Sequence, residues 1–225
     1  VVAFTSGSTG ESLPQAKSWA ALAAGTALNL RYLLPPGGDT HCVVSTMPAQ
    51  HMYGLETTVL AALRGPVTLH GGQPFYPADV AAALESVPPP RILASTPVHL
   101  RALLASGLRF PPVARILCAT APLDVALARA IEDRFGAPLV EIYGCTEAGS
   151  IATRRTRDCE LWTPYREARV RDCDEGALVD GPHLPVAVRL ADVVQIEADG
   201  RFRLVGRSSD MVKVAGKRAS LAALN

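Results

Sequence analysis

The chain has almost no charge imbalance: 22 Lys and Arg stand against 21 Asp and Glu, for a net charge of +1. Without a basic field, neither nucleic acid nor an anionic membrane is an expected partner. No apolar run is long and uncharged enough to span a bilayer. The Ala-rich stretch from Ala20 to Leu30 carries Thr26 and Asn29 and is flanked by Lys17 and Arg31, so it reads as a buried helix. The five cysteines (Cys42, Cys118, Cys145, Cys159, Cys173) are odd in number and scattered, and none forms a Cys-x-x-Cys pair. That argues against a disulfide frame or zinc site and for reduced thiols in the cytoplasm. A Walker loop is missing, because no Gly-Lys-Ser/Thr follows Gly7 at the required distance. A Gly-x-Ser-x-Gly nucleophile elbow is missing too.

What is present is ample apolar material: 48% of 225 residues. The opening Val1-Val2-Ala3-Phe4 reads as a buried strand. It runs into Thr5-Ser6-Gly7-Ser8-Thr9-Gly10, and a helix-like stretch follows from Gln15 to Leu34. Strand, small-residue loop and helix is a layout in which backbone N–H groups and hydroxyls can wrap a phosphate chain. Beyond it, short apolar runs alternate with helical patterns. Strands are expected at 41–46, 66–69, 91–95, 115–118 and 139–142, and helices at 53–64, 77–85, 97–106 and 123–135, the last closed by Gly136. This alternation predicts an α/β fold, a mostly parallel sheet with flanking helices. After Gly149 helical periodicity stops. Short β-like pieces and the Asp199-Gly200 turn predict a small antiparallel β-subdomain. The expected organisation is 1–149 as the α/β part, 150–206 as the β-subdomain, and 207–225 as a hinge leading into a further domain. The chain opens on a strand and closes on a helix-like run at Asn225, as expected of a piece of a longer protein.

Five segments carry chemistry. The Thr5–Gly10 loop is the first. The second, Glu141-Ile142-Tyr143-Gly144-Cys145-Thr146-Glu147, follows a strand, and in parallel sheets ligands sit beyond the carboxyl ends of strands. Tyr143 can stack on a purine, and Thr146 and Glu147 can meet a phosphate and Mg2+, which favours carboxylate and phosphate oxygens. The third pairs Asp192, a carboxylate able to accept from both ribose hydroxyls, with Arg207. The fourth is Pro48-Ala49-Gln50-His51-Met52-Tyr53-Gly54-Leu55, and the fifth Cys118-Ala119-Thr120-Ala121-Pro122-Leu123.

In this order the segments resemble those of the adenylate-forming superfamily, which contains acyl-CoA synthetases, peptide-synthetase adenylation domains and luciferases. The resemblance implies that Thr5, Ser6, Gly7, Ser8, Thr9, Gly10 and Lys17 hold the phosphates of ATP. It implies that Thr120, Ala121, Pro122, Glu141, Tyr143 and Gly144 surround adenine, that Thr146 touches the α-phosphate and that Glu147 binds Mg2+. Asp192 and Arg207 take the ribose, His51 gates the acyl pocket, and Ser209 aligns with the interdomain hinge. Three departures stand out. Ala119-Thr120 replaces a pair of glycines, Leu190-Ala191 replaces the Thr-Gly before Asp192, and Pro14 is separated from Lys17 by Gln15-Ala16. The family's catalytic Lys lies in a C-terminal domain beyond this chain. The Thr153-Arg154-Arg155-Thr156 run and the Gly216–Leu221 end look like the acyl-CoA synthetase-like ligases of bacterial aryl polyene and xanthomonadin pigment clusters. Arg154 and Arg155 themselves read as surface charges.

The implied activity is ATP-dependent conversion of a small aryl or acyl carboxylic acid to an acyl-adenylate. The acyl group then passes to a thiol, that of CoA or of phosphopantetheine on an acyl carrier protein. A nucleotide-binding or carrier-docking module that has lost catalysis on the same scaffold stays open at this point.

Overall fold

The computed structural model describes residues 1–4, 13–173 and 176–207, and the backbone of 211–214 and 217–220. Its centre is a seven-stranded sheet of order β4-β3-β5-β6-β7-β8-β9. The strands β3 (His41–Ser45), β4 (Val67–Leu69), β5 (Arg91–Ser95), β6 (Arg115–Cys118) and β7 (Leu139–Cys145) run parallel. β8 (Gly149–Arg154) and β9 (Thr163–Pro164) add to one edge antiparallel.

The parallel strands read as continuous apolar runs because both faces are covered. On one face Val44, Leu93, Ile116 and Leu139 pack with α4 (Pro77–Ser86), α5 (Pro97–Ala105) and α6 (Val125–Phe135). On the other, Val43, Ile92, Leu117 and Ile142 meet Leu33 of α1 (Trp19–Leu33), Tyr53 of α2 (Met52–Leu55) and Ala61 of α3 (Ala61–Arg64). The alternation of Leu93 with Ile92, and of Ile116 with Leu117, is the period-2 signature of a strand. Each such buried side chain contributes about 2 kcal/mol through removal from water. Helix ends follow their local chemistry. Asp124 caps α6 by accepting from Leu127 N–H at 2.7 Å, and Gly136 closes it at φ 62°, a left-handed position that glycine adopts without steric cost.

The segment joining β3 to β4 departs from a regular helix. α2 and α3 are bridged by a π-helical turn, Glu56–Leu60. The Thr57 and Thr58 hydroxyls donate back to the Tyr53 and Gly54 carbonyls, at 2.7 and 2.5 Å. Their demand on these acceptors accompanies the widened turn.

After β8 a second core forms. Tyr143, Ile151, Trp162, Tyr165, Val179, Leu190, Val194 and Phe202 cluster with Leu28 of α1. β10 (Arg169–Cys173), β11 (Gly176–Asp180) and β12 (Val188–Leu190) make an antiparallel sheet. β13 (Asp192–Ile196) and β14 (Phe202–Arg207) make a hairpin whose turn holds Gly200 at φ 83°.

The expected architecture is therefore present, with two local corrections. Pro14–Ala16 is a strand, β2, not the start of a helix; it pairs with β1 (Val2–Phe4). Gln15 and Ala16 are held extended by pairing with Ala3 and Val2, and the helix starts instead where Ser18 accepts from Ala21 N–H at 3.1 Å. β1 is not buried: of its residues only Ala3 is, because among the described residues it pairs with β2 alone and not with the large sheet. Lys217–Ser220 is a strand, β16, paired with β15 (Met211–Val214), and the helix-like run expected at Asn225 lies outside the described residues.

Candidate active site

The carboxyl ends of β6 and β7, neighbours in the sheet, deliver two loops to one edge. From β6 comes Ala119-Thr120-Ala121-Pro122. Thr120 sits at φ 84°, the one non-glycine residue with positive φ among the described residues. This is where the resemblance expects glycine, so the backbone path is kept while the side chain bears the strain. From β7 comes the turn through Tyr143, Gly144, Cys145, Thr146 and Glu147 into β8. It is too tight for side chains at its base. A Cβ on Gly144 would lie 2.2 Å from the Gly149 carbonyl oxygen, and Gly149 itself holds φ 75°.

Tyr143 is the partition of the site. Its ring packs against Trp162 and Phe202, with centroids 5.4 and 5.5 Å away. Its hydroxyl donates to Asp192 Oδ2 at 2.8 Å. Burial first, and then the Asp192 carboxylate, push the Tyr143 pKa far upward, so the phenol stays a neutral donor. Arg207 pairs opposite Asp192 in the β13–β14 register and brings its Nε to 3.7 Å from Asp192 Oδ1. Asp192 thus reaches the site without the Thr-Gly that the resemblance expects before it.

Two cavities meet at this partition. The first, about 440 Å3, is bounded by His51, Met52, Tyr53 and Glu56 on its helical wall and by Thr146, Glu147 and Ser150 on the turn side. The second, about 980 Å3, is bounded by Ala121, Pro122, Glu141, Arg154 and Trp162. Thr120, Tyr143, Gly144, Asp192 and Arg207 line both. Thus Thr120, Ala121, Pro122, Glu141, Tyr143, Gly144, Thr146, Glu147, Asp192, Arg207 and His51 all border one bipartite cleft. Thr5, Ser6, Gly7, Ser8, Thr9, Gly10 and Ser209 lie outside the described residues.

Lys17, just past β2, donates through Nζ to the Glu147 carbonyl oxygen. Burial lowers its pKa, while Cys145, Glu56 and Glu147 oppose that shift. His51 stands at the N-terminal end of α2, half-buried, with Nδ1 lacking a hydrogen-bond partner among the described residues. Burial lowers its pKa as well, favouring the neutral imidazole.

Glu141 is buried, and its Oε2 accepts from Arg154 Nε at 2.6 Å and Thr156 Oγ1 at 2.5 Å. Arg154 is no surface charge: its side chain is 15% exposed and its guanidinium lies 4.3 Å over the Trp162 ring. Pairing with a buried carboxylate and stacking on an aromatic face draws it inward. Arg155 stays half exposed and forks onto Glu132, with contacts of 2.9 and 2.7 Å.

Sequence reasoning missed two residues of the cleft. Trp162 forms the second cavity's wall and carries the Arg154 stack. Glu56 lines the first cavity, is buried, and accepts from Ser150 Oγ at 2.6 Å. Its signal was an acid set in the apolar pattern of Leu55, Val59 and Leu60. Burial raises its pKa, against the opposing pull of Ser150, Lys17 and the Asn29 side chain.

Comparison with known proteins adds the following. A family model described as AMP-binding enzyme matches residues 1–184. The 4-coumarate–CoA ligase of Rhodobacter capsulatus is 32% identical over 227 residues, covering 96% of this chain and 54% of that protein. The 4-coumarate–CoA ligase of Halorhodospira halophila is 29% identical, covering 96% of this chain and 53% of that protein. The chain spans about half the length of the curated relatives it matches. Among solved structures, O-succinylbenzoate coenzyme A synthetase (MenE) from Bacillus subtilis, in complex with ATP and magnesium ion, superposes with a TM-score of 0.80 at 20% identity, over 98% of this chain and 52% of that one. ATP-bound MatB from Rhodopseudomonas palustris superposes with a TM-score of 0.82 at 19% identity, over 99% of this chain and 51% of that one. At these identities the structures establish the shared fold.

Proposed function

The chain belongs to the AMP-binding enzyme family, and from that premise we propose that the protein containing it activates a small aryl or acyl carboxylic acid with ATP and hands the acyl group to a thiol. The acid's carboxylate oxygen attacks the α-phosphorus, pyrophosphate leaves, and an acyl-adenylate results. The thiol of CoA, or of phosphopantetheine on a carrier protein, then displaces AMP. The curated relatives are named as CoA ligases, which supports CoA as acceptor.

One observation carries the reading: Thr120, Tyr143, Asp192 and Arg207, far apart in sequence, border the same cleft at the carboxyl edge of a parallel sheet. In this reading the second cavity takes adenine, between the Thr120–Pro122 loop and the Tyr143 face. Asp192 and Arg207 take the ribose, and Lys17 and the Thr5–Gly10 loop take the phosphates. The first cavity takes the acid, with His51 at its entrance. The chain's part in the chemistry is to orient the two substrates and offset phosphate charge.

A magnesium ion fits the donor set. Thr146 and Glu147 offer hard oxygen donors at the first cavity, while no group of three or more His, Cys, Asp or Glu among the described residues could hold a metal by itself. An ion held by one carboxylate, phosphate oxygens and water is the expected arrangement for Mg2+. Bound there, it supplies charge neutralisation of the phosphates. Ser209 and the residues after it serve as the hinge, and 207–225 as the approach to a further domain.

The test is acid-dependent ATP–pyrophosphate exchange by the full-length protein. Glu147→Ala is expected to lower exchange by about 100-fold or more. Unchanged exchange removes the metal role from Glu147. Nucleotide binding with no exchange for any acid replaces the ligase reading with a binding module.

A further inference from the structure

The first cavity has an unusual floor. Its helical wall is His51, Met52, Tyr53 and Glu56. The Tyr53 hydroxyl is committed to the Ser95 carbonyl at 3.2 Å. Met52 offers a thioether, and His51 stands at the end of the wall where α2 begins. Glu56 is the one carboxyl on this wall, and it is delivered by the π-helical turn. Such turns are rare and concentrate at functional sites. The carboxyl is locked in place. Ser150 Oγ donates to Oε2 at 2.6 Å, and Ser150 N–H approaches Oε1 at 3.4 Å. A Cβ on Gly149 would lie 2.6 Å from Oε1, so glycine at φ 75° is what admits the carboxyl here. A carboxyl has about four lone-pair sites. The two contacts from Ser150 and the one from the Asn29 side chain leave a single acceptor position on a group that lines the cavity.

We infer that Glu56 selects the acid: its carboxyl accepts a hydrogen bond from an uncharged donor, such as a phenolic hydroxyl, on the body of the acid, and turns away acids that carry a second anionic group. The inference rests on the first cavity being the acid pocket. Its physics is asymmetric. A hydroxyl donor completes a buried acceptor, whereas an acid lacking the donor buries Glu56 without completing it. A second carboxylate beside Glu56 forces one of the two carboxyls to take up a proton, the costliest outcome of the three at neutral pH.

The test uses the full-length protein and three probes in pyrophosphate exchange: a para-hydroxy arylacrylic acid, its deoxy parent, and the analogue with a second carboxylate in the hydroxyl's place. The wild type is expected to rank them in that order, with hydroxy over deoxy by about tenfold or more in kcat/KM. Glu56→Leu is expected to collapse that ratio to about one or below, mainly through KM for the hydroxy acid. Glu56→Gln keeps one acceptor oxygen, and the Ser150 hydroxyl can turn to accept from the new amide N–H. It is expected to keep the hydroxy preference within about threefold while improving the dicarboxylate about tenfold. An unchanged hydroxy-to-deoxy ratio in folded Glu56→Leu overturns the inference, as does a wild type that prefers the dicarboxylate. Should Glu56→Leu not fold, Glu56→Gln decides. Gain of the dicarboxylate supports the inference, and no gain overturns it. No exchange with any acid in the wild type is a different result, and sinks the ligase reading itself.

Discussion

The two sides of the cleft are held by different forces. On the sheet side, Leu93, Ile92, Ile116 and Leu139 are fully buried between helices, and close packing holds the β6 and β7 loops. On the hairpin side, β13 and β14 form a two-stranded sheet of their own, tied further only by a single bridge from Phe202 to Trp162 among the described residues. Their outer surface is laced with arginine pairs: Arg203 with Glu160 and Glu197, and Arg201 with Asp199. The hairpin is nevertheless pinned from beneath by Phe202, which is fully buried, and by the Asp192–Tyr143 hydrogen bond. A rigid wall thus faces a lightly fastened one, and the tyrosine between them rises from the sheet strand β7 into the core beneath the hairpin.

That contrast can be broken most severely from the sheet side. Leu93→Ala opens a cavity where neither neighbouring helix can collapse, and a loss of about 3 kcal/mol is expected in denaturant unfolding. Next comes the joint between the regions. Glu132 on α6 is 3% exposed in its side chain and is gripped by Arg155, which follows β8, and by Leu139 N–H at 2.8 Å. Glu132→Gln should cost about 2 kcal/mol. Burial by itself would raise the Glu132 pKa, but Arg155 and the Leu139 N–H outweigh it and leave it below the ordinary 4.5. With the folded value depressed, this stabilisation is complete above the unfolded pKa and is lost as pH falls through the folded one. A stability profile of wild type against Glu132→Gln should converge in acid. If the gap is constant with pH, the pair's charge is irrelevant.

The third change sharpens the comparison at the mouth. Thr120→Gly removes the strain at φ 84° and is expected to stabilise the fold by about 0.5–1 kcal/mol after the entropy of glycine in the unfolded chain is offset. The smallest effect belongs to the hairpin surface. Arg203→Ala, at a side chain 46% exposed, should cost about 0.5 kcal/mol or less and vanish in high salt. A larger, salt-insensitive loss would mean the hairpin wall is as firmly held as the sheet.

The same contrast explains what could be read from the sequence. The parallel strands announced themselves because two-sided burial demands unbroken apolar runs, and β5 and β6 fall at 91–95 and 115–118, where those runs placed them. Gly136 and the Asp199-Gly200 turn were legible because their backbone conformations restrict the choice of residue. The cleft residues were legible as motifs, but their mutual approach was not: no local pattern says that the Tyr143 hydroxyl will find Asp192. Glu56 and Arg154 were missed for one physical reason. A charge among apolar residues is ordinarily a solvated face, and only its tertiary partner, Ser150 in one case and Glu141 in the other, turns it inward. The β1 strand failed in the opposite direction. Its composition is that of a core strand, yet what decides burial is the neighbour it pairs with.

The widened turn at Glu56–Leu60 holds one residue more than a regular helix needs. Deleting a single residue from it would let the backbone relax into an unbroken α-helix. Because the extra residue is absorbed as a local bulge, the turns on either side would keep their faces. The carboxylate would swing off the pocket floor while both flanking helices kept their own turns, so one lost codon could rewrite which molecules are admitted and leave the scaffold standing.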